Sequence, residues 1–255
     1  MRALSLSLFG AILTCYQLIE VLNIMLYKVI TFRMRDQPLN IAGNPAPPRE
    51  VLDEIAEWDV ENNGGVLAFS GVTDEEPHIG VMFIEVITHD PTKASMKVAG
   101  WSYARLTDER PTVYYVSLED LFKTATDALS SPVSELVFVY FPISMPAEAR
   151  QRIRTAGSTM RPITERHGAL AIADGWAGGN VELRKDVLER LGSPSGIDTG
   201  KAQVWVITTG WQTKEAHFQL QASQDYKDNI HNIVDHPEIR GVDVFHVCFD
   251  KMDLS

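Results

Sequence analysis

A chain of 255 residues, 45% apolar and 22% charged, has the material for one large or two ordinary globular domains, and its composition is not that of a disordered or fibrous protein. Lys and Arg number 23 against 34 Asp and Glu, a net charge of −11, and no basic run interleaves with aromatics, so nucleic acid is set aside as a partner. Cys15 and Cys248 fit neither a disulfide scaffold nor a Cys-based zinc site, and their sparseness agrees with a reducing, cytoplasmic compartment.

Residues 1–24, "MRALSLSLFGAILTCYQLIEVLNI", leave three readings open: a signal or anchor, an accessory helix, or a stretch upstream of the functional start at Met25. Arg2 before an apolar run resembles a secretory signal. No small-x-small cleavage site follows, however, and Gln17, Glu20 and Asn23 weaken a membrane span. A working signal would make the protein secreted or membrane-anchored.

The first half then reads as a strand "YKVITFRM" (27–34), a Pro-rich loop "NPAPP", and a helix "REVLDEIAEWDVENNGG" with Val51, Leu52, Ile55 and Trp58 as its apolar positions. Strands at 66–72 and 78–88 follow, then a less regular stretch to Arg110 and a strand "TVYYVSL" (112–118). An amphipathic linker helix over 119–133, ending in Ser-Ser-Pro, leads to the second half.

There, "SELVFVYFPI" (134–143) predicts a strand. Pro146 opens a helix whose apolar residues Ala149, Ile153, Ala156, Met160 and Ile163 step by four and three, with Pro162 expected to kink or end it. A strand at 169–176, an insertion with a short helix at 181–192, and a strand "KAQVWVITTGW" (201–211) come next. Helical sequence over 213–236, expected to break near Ser223, precedes the last strand, "GVDVFHVCFD" (241–250).

Both halves therefore predict the same order of elements. The expected fold is α+β, with two ferredoxin-like (split βαβ) repeats, 25–118 and 134–255, packed sheet to sheet as an α/β barrel. Short matches such as "TVYYVSLED" with "VDVFHVCFDK" set Tyr115 against His246.

The C-terminal pattern "GWQTKEAH", followed by "SQDY" and then "HPEIRGVDVFHVCF", resembles the dimeric α/β-barrel superfamily, in particular its antibiotic-biosynthesis-monooxygenase-like (ABM) and stress-responsive members. The resemblance covers 134–250 well and 26–118 poorly. It implies an apolar cavity between two sheets and several activities: cofactor-independent monooxygenation of quinols or anthrone-like polyketides in secondary metabolism, polyketide cyclisation, heme-dependent chemistry, or a non-catalytic stress or interaction role. Fold alone does not choose among them.

On the last strand, alternation puts Phe245, Val247 and Phe249 on one face and Val244, His246 and Cys248 on the other. If the first set packs under helices, the second faces the barrel interior. His246 would then serve as catalytic base and Tyr115 as its polar partner, since a histidine takes a proton near neutral pH and a phenol can hydrogen-bond a developing enolate. The alternative for both is simple core packing. His217, near the start of the family-like helix, is a third catalytic candidate. Trp205, Trp211 and Trp176, with Val244 and Cys248, are candidate walls for a small hydrophobic or aromatic substrate.

No metal site is expected, because His231 and His236 stand five apart rather than four, and His78 and His89 read as edge or loop residues. No cofactor is expected, with heme as the alternative; the Gly-x-x-Arg-Asp-Gly motif of dye-decolorising peroxidases is missing. Phosphate-binding glycine motifs and a Gly-x-Ser-x-Gly elbow are also absent. A homodimer is the expected assembly if the barrel pairs between chains, and a membrane partner only if residues 1–24 anchor.

Overall fold

The structure, a computed structural model, describes residues 25–35, 47–86, 100–192, 197 and 200–254. The apolar segment 1–24, most of the Pro-rich loop and His89 lie outside the described residues. The first half comprises β1 (Met25–Arg33), α1 (Arg49–Asn63), β2 (Gly65–Val72), β3 (Ile79–Val86), α2 (Gly100–Leu106) and β4 (Thr112–Phe122). A short α3 (Ala125–Leu129) leads to β5 (Val133–Phe141), α4 (Ala147–Arg166), β6 (Ala171–Trp176), β7 (Val181–Glu182), α5 (Lys185–Leu191) and β8 (Lys201–Trp211). The chain ends with α6 (Lys214–Ala222), α7 (Gln224–Val234), β9 (Gly241–Val247) and β10 (Asp250–Asp253).

The strands form one curled antiparallel sheet in the order β10-β2-β3-β1-β4-β6-β8-β5-β9, with β7 attached to β8. Two strands change partners along their length. β4 pairs with β1 up to Leu118 and with β6 from Glu119. The C-terminal strand pairs with β5 as β9 and with β2 as β10, and a Thr73–Val247 bridge joins the two stretches. The two ends of the sheet order are therefore consecutive in the chain. Gly175 permits the β4–β6 junction, because a Cβ there would lie 2.1 Å from the Ser117 carbonyl oxygen.

Alternation along these strands feeds three cores. One face of the sheet gathers residues of both halves, among them Tyr27, Val29, Phe83, Tyr114, Leu136, Phe138, Val204 and Phe245. On the other face, Leu26, Ile30 and Phe32 pack with Val51, Leu52 and Ile55 of α1, and Val139, Phe141 and Trp205 pack with Ala149 and Ile153 of α4 and Leu220 of α6. Burial of such apolar surface, at about 25 cal/mol per Å², is the main force holding helices to sheet.

Several boundaries differ from the sequence reading. Pro162 does not end α4, which runs on to Arg166; Pro162 is exposed, so the carbonyl it leaves without a donor can meet water. The expected linker helix shrinks to Ala125–Leu129 because β4 extends to Phe122, drawn out by its pairing with β6. Thr124 starts that short helix with a capping box to Asp127. The stretch before Arg110 holds α2, and the break at Ser223 falls where expected, its hydroxyl accepting from Tyr226 N–H to cap α7. Among the described residues no helix is long and apolar enough to cross a membrane.

Candidate functional site: a buried Glu-His-His-Glu chain

Four side chains from four elements form one line on the helix-covered face: Glu75, His246 and His217 are joined by hydrogen bonds, and Glu135 lies beside His217. Glu135 comes from β5, His217 from the first turn of α6, His246 from β9, and Glu75 from the loop between β2 and β3. His246 is the register partner of Glu135 across the β5–β9 ladder. Thr213 caps α6 by accepting from Ala216 N–H at 3.3 Å, which sets His217 over the sheet. The Thr73 hydroxyl donates to Glu76 O at 2.7 Å, and Asp74 N–H donates to His246 O at 2.9 Å, so the acidic loop is tied to β9.

Glu75 Oε1 lies 2.7 Å from His246 Nδ1, and Glu75 Oε2 accepts from His246 N–H at 2.8 Å. His246 Nε2 is 2.7 Å from His217 Nδ1. His217 Nε2 is 3.2 Å from Glu135 Oε1, and Trp211 Nε1–H donates to Glu135 Oε2 at 2.9 Å. Lys214 Nζ donates to Glu75 Oε1 at 3.1 Å. His217, His246 and Glu135 are buried, whereas the Glu75 side chain is 35% exposed, so one end of the line reaches solvent.

Burial and hydrogen bonding shift three of these groups. Partial burial disfavours the Glu75 carboxylate, but hydrogen bonds from the His246 backbone and ring and from Lys214 outweigh it and hold its pKa down to about 2. Burial pushes Glu135 up to about 7, opposed by the Trp211 hydrogen bond and aided by the Glu75 charge. Burial, and then the neighbouring His246, push His217 down to about 4. Near pH 6 Glu75 is therefore ionised, Glu135 protonated and His217 neutral.

The ionised Glu75 accepts from His246 Nδ1–H, and a single proton lies between His246 Nε2 and His217 Nδ1. Which ring holds it sets the tautomer of each, and Glu135 sits 3.2 Å from the far nitrogen of His217. Phe218, half-exposed, lies over both rings, its centroid 5.8 Å from that of His217 and 5.7 Å from that of His246.

Two expected site residues, His217 and His246, thus meet, but not inside the barrel. The face assignment of the last strand is inverted. Phe245, Val247 and Phe249 belong to the core shared by both halves, and His246 points toward α6. The physical reason is partnering: a buried imidazole needs hydrogen bonds, and Glu75 and His217 supply them only on the helix side. Val244 and Cys248 are exposed and line no enclosed space.

Tyr115 packs in the helix-side core of the first half, while its neighbour Tyr114 faces the shared core. Trp205 and Trp211 are buried under the helices rather than walling the interior: Trp205 stacks on Trp176 at 6.0 Å and donates to Asp174 at 3.2 Å, and Trp211 stacks on His217 at 5.5 Å.

Sequence reasoning missed Glu135 and Glu75. Glu135 had a signal, being a charged residue in phase with Val137, Val139 and Phe141 on a strand; Glu75, in the acidic loop "TDEEPH", had none. A second buried ionic centre was also missed. Lys28 Nζ donates to both oxygens of Asp59, at 2.9 and 3.0 Å, and both residues are fully buried. Lys28 is the register partner of Tyr115, as Glu135 is of His246.

A heme iron needs an accessible imidazole nitrogen; three of the four ring nitrogens of His217 and His246 are hydrogen-bonded and the fourth is buried 3.2 Å from Glu135, so this pair does not fit as its ligand. Among the described residues no group of three or more His, Cys, Asp or Glu is arranged to hold a metal ion.

No family model matches the chain, and no curated protein does. Solved structures do. A Lactobacillus acidophilus NCFM protein described as a "putative monooxygenase" aligns with TM-score 0.51 and 13% identity, over 91% of this chain and 97% of that one. An "anthrone oxidase-like protein" aligns with TM-score 0.54 and 11% identity, over 91% and 94%. The likeness is one of fold: this chain shares the curled α+β sheet of these proteins.

Proposed function

We propose that the protein is a small-molecule enzyme of the monooxygenase-like α/β-barrel type, in which the Glu75–His246–His217–Glu135 line withdraws a proton from an aromatic or polyketide-like substrate. The observation that carries this reading is the 2.7 Å contact between two imidazoles, one of them hydrogen-bonded to a carboxylate at the solvent edge, so that a proton taken up at the pair can leave through Glu75. The substrate rests against Phe218, the half-exposed ring over both imidazoles.

In this reading the halves are ferredoxin-like repeats closing a barrel within one chain. Their strand orders, β2-β3-β1-β4 and β6-β8-β5-β9, match position for position, which supports the duplication. So does the pairing of Lys28 with Tyr115 and of Glu135 with His246 at corresponding places.

Loss of a proton from an activated methylene leaves a carbanion. With dioxygen as co-substrate the methylene becomes a carbonyl; one oxygen atom stays and the other leaves as water with both hydrogens. Without dioxygen the same carbanion closes a ring onto a carbonyl. The fold neighbours named for monooxygenase and anthrone oxidase suggest the first probes.

Oxygen uptake with anthrones and quinols tests the proposal. Wild-type protein should exceed uncatalysed autoxidation, and His217→Gln and His246→Gln should each lower the rate about 100-fold. No acceleration with anthrones, quinols or cyclisable polyketones, or full activity in His246→Gln, would sink it.

A further inference from the structure

The core shared by the two halves contains a cavity of about 20 Å³ lined by Tyr114, Tyr140, Arg184, Val204, Asp243 and Phe245, among others. This is room for one small group, since a water needs roughly 10–15 Å³ by the same measure. Arg184 is buried, and its guanidinium is only partly used: Nε and Nη2 donate to the two oxygens of Asp186 at 2.9 and 2.8 Å. Nη1 is buried and has no hydrogen-bond partner among the described residues. An unmet charged donor is costly in an apolar interior, and the neighbouring carboxylates already accept other bonds. Asp243 accepts from Tyr140 OH at 2.9 Å and from Arg190 at 2.8 Å, and Asp186 accepts a further bond from Arg190 at 3.2 Å.

We propose that Arg184 Nη1 is the donor of a binding site for a small monoanion of one to three heavy atoms, a halide or a formate-sized carboxylate. Arg184 and Arg190 face Asp186, Asp243 and, 3.6 Å from Arg190 at the partly exposed edge, Glu76, so the anion must be held by the charged donor Nη1 itself and not by a net positive charge around it. The walls around Val204, Phe138 and Phe245 are apolar and leave the inner space narrow. The site is separate from the acid–base line, since Phe245 faces the cavity while its neighbour His246 faces Glu75.

The test uses the full chain with sodium bromide and sodium formate, against sodium sulfate at equal ionic strength. An anomalous bromide peak within hydrogen-bond distance of Nη1 is expected in crystals. In solution, bromide or formate should raise the melting temperature saturably, by roughly 3–5 °C at about ten times Kd. Val204→Leu, which fills the cavity and leaves Arg184 in place, should abolish the shift. A water or no density beside Nη1 overturns the proposal. So does a bromide peak without a solution shift, or a shift retained in Val204→Leu. Oxygen uptake is not a readout here, so failure of this site leaves the catalytic reading intact, and the reverse.

Discussion

His217 Nδ1 lies 2.7 Å from His246 Nε2, and one proton is all that such a contact can hold. Glu75 and Glu135 at the outer nitrogens decide which ring owns it. The relationship ties three segments of the second half to a loop of the first.

Glu135 and His217 should oppose each other in the pH dependence of stability. Glu135 has its folded value raised to about 7 from an ordinary 4.5, so its contribution is full below pH 4.5 and is lost as pH rises through 7. His217 is lowered to about 4 from 6.5, so its contribution is present above pH 6.5 and is lost as pH falls through 4. The two slopes largely cancel in between. Glu135→Gln keeps an acceptor for Trp211 but cannot ionise. Relative to wild type it should gain stability at pH 8 compared with pH 4.5, read as urea midpoints; a pH-independent difference would contradict this.

Glu75 has the opposite sign to Glu135. Its folded value of about 2 against 4.5 means stability present above pH 4.5 and lost as pH falls toward 2. Glu75→Gln should therefore flatten the acid limb between pH 4.5 and 3, and an acid limb of unchanged steepness would rule out this assignment.

Lys28 and Asp59 should behave as a coupled buried pair. Burial pushes the lysine down and the aspartate up, and each opposes that shift in its partner. Lys28→Met or Asp59→Leu alone should cost about 3–5 kcal/mol, because an uncompensated charge stays buried. The double variant should recover much of the loss. If the losses simply add in a double-mutant cycle, the pair is not coupled.

Gly175→Ala should lose roughly 3 kcal/mol or more, since the new methyl would meet the Ser117 carbonyl at 2.1 Å where β4 crosses to β6. Gly100→Ala, whose Cβ meets nothing within 4 Å, should be neutral or stabilising. Equal chemical-denaturation midpoints for the two variants would contradict this account of the junction.

The strands and their order were legible because period-2 patterns in "LYKVITF", "SELVFVYF" and "KAQVWVITT" leave little alternative. Alternation cannot say which face of a strand meets the other half, and that is why His246 was read as interior. The buried charges could have corrected it. Lys28 is in phase with Leu26 and Ile30, Asp59 falls four after Ile55 on the buried face of α1, and Glu135 is in phase with Val137. Each marks a helix-covered polar centre rather than an open cavity. Arg184 and Glu75 sit in polar loop sequence, where nothing local distinguishes a buried role from a solvated one.

The most direct measurement is ¹⁵N NMR of the histidine side chains near pH 6, assigned with His217→Gln and His246→Gln. The account predicts a neutral His217, a proton on His246 Nδ1 facing Glu75, and a through-bond coupling across the His217 Nδ1–His246 Nε2 contact. Two rings protonated on Nε2, each titrating independently near pH 6.5, would contradict it.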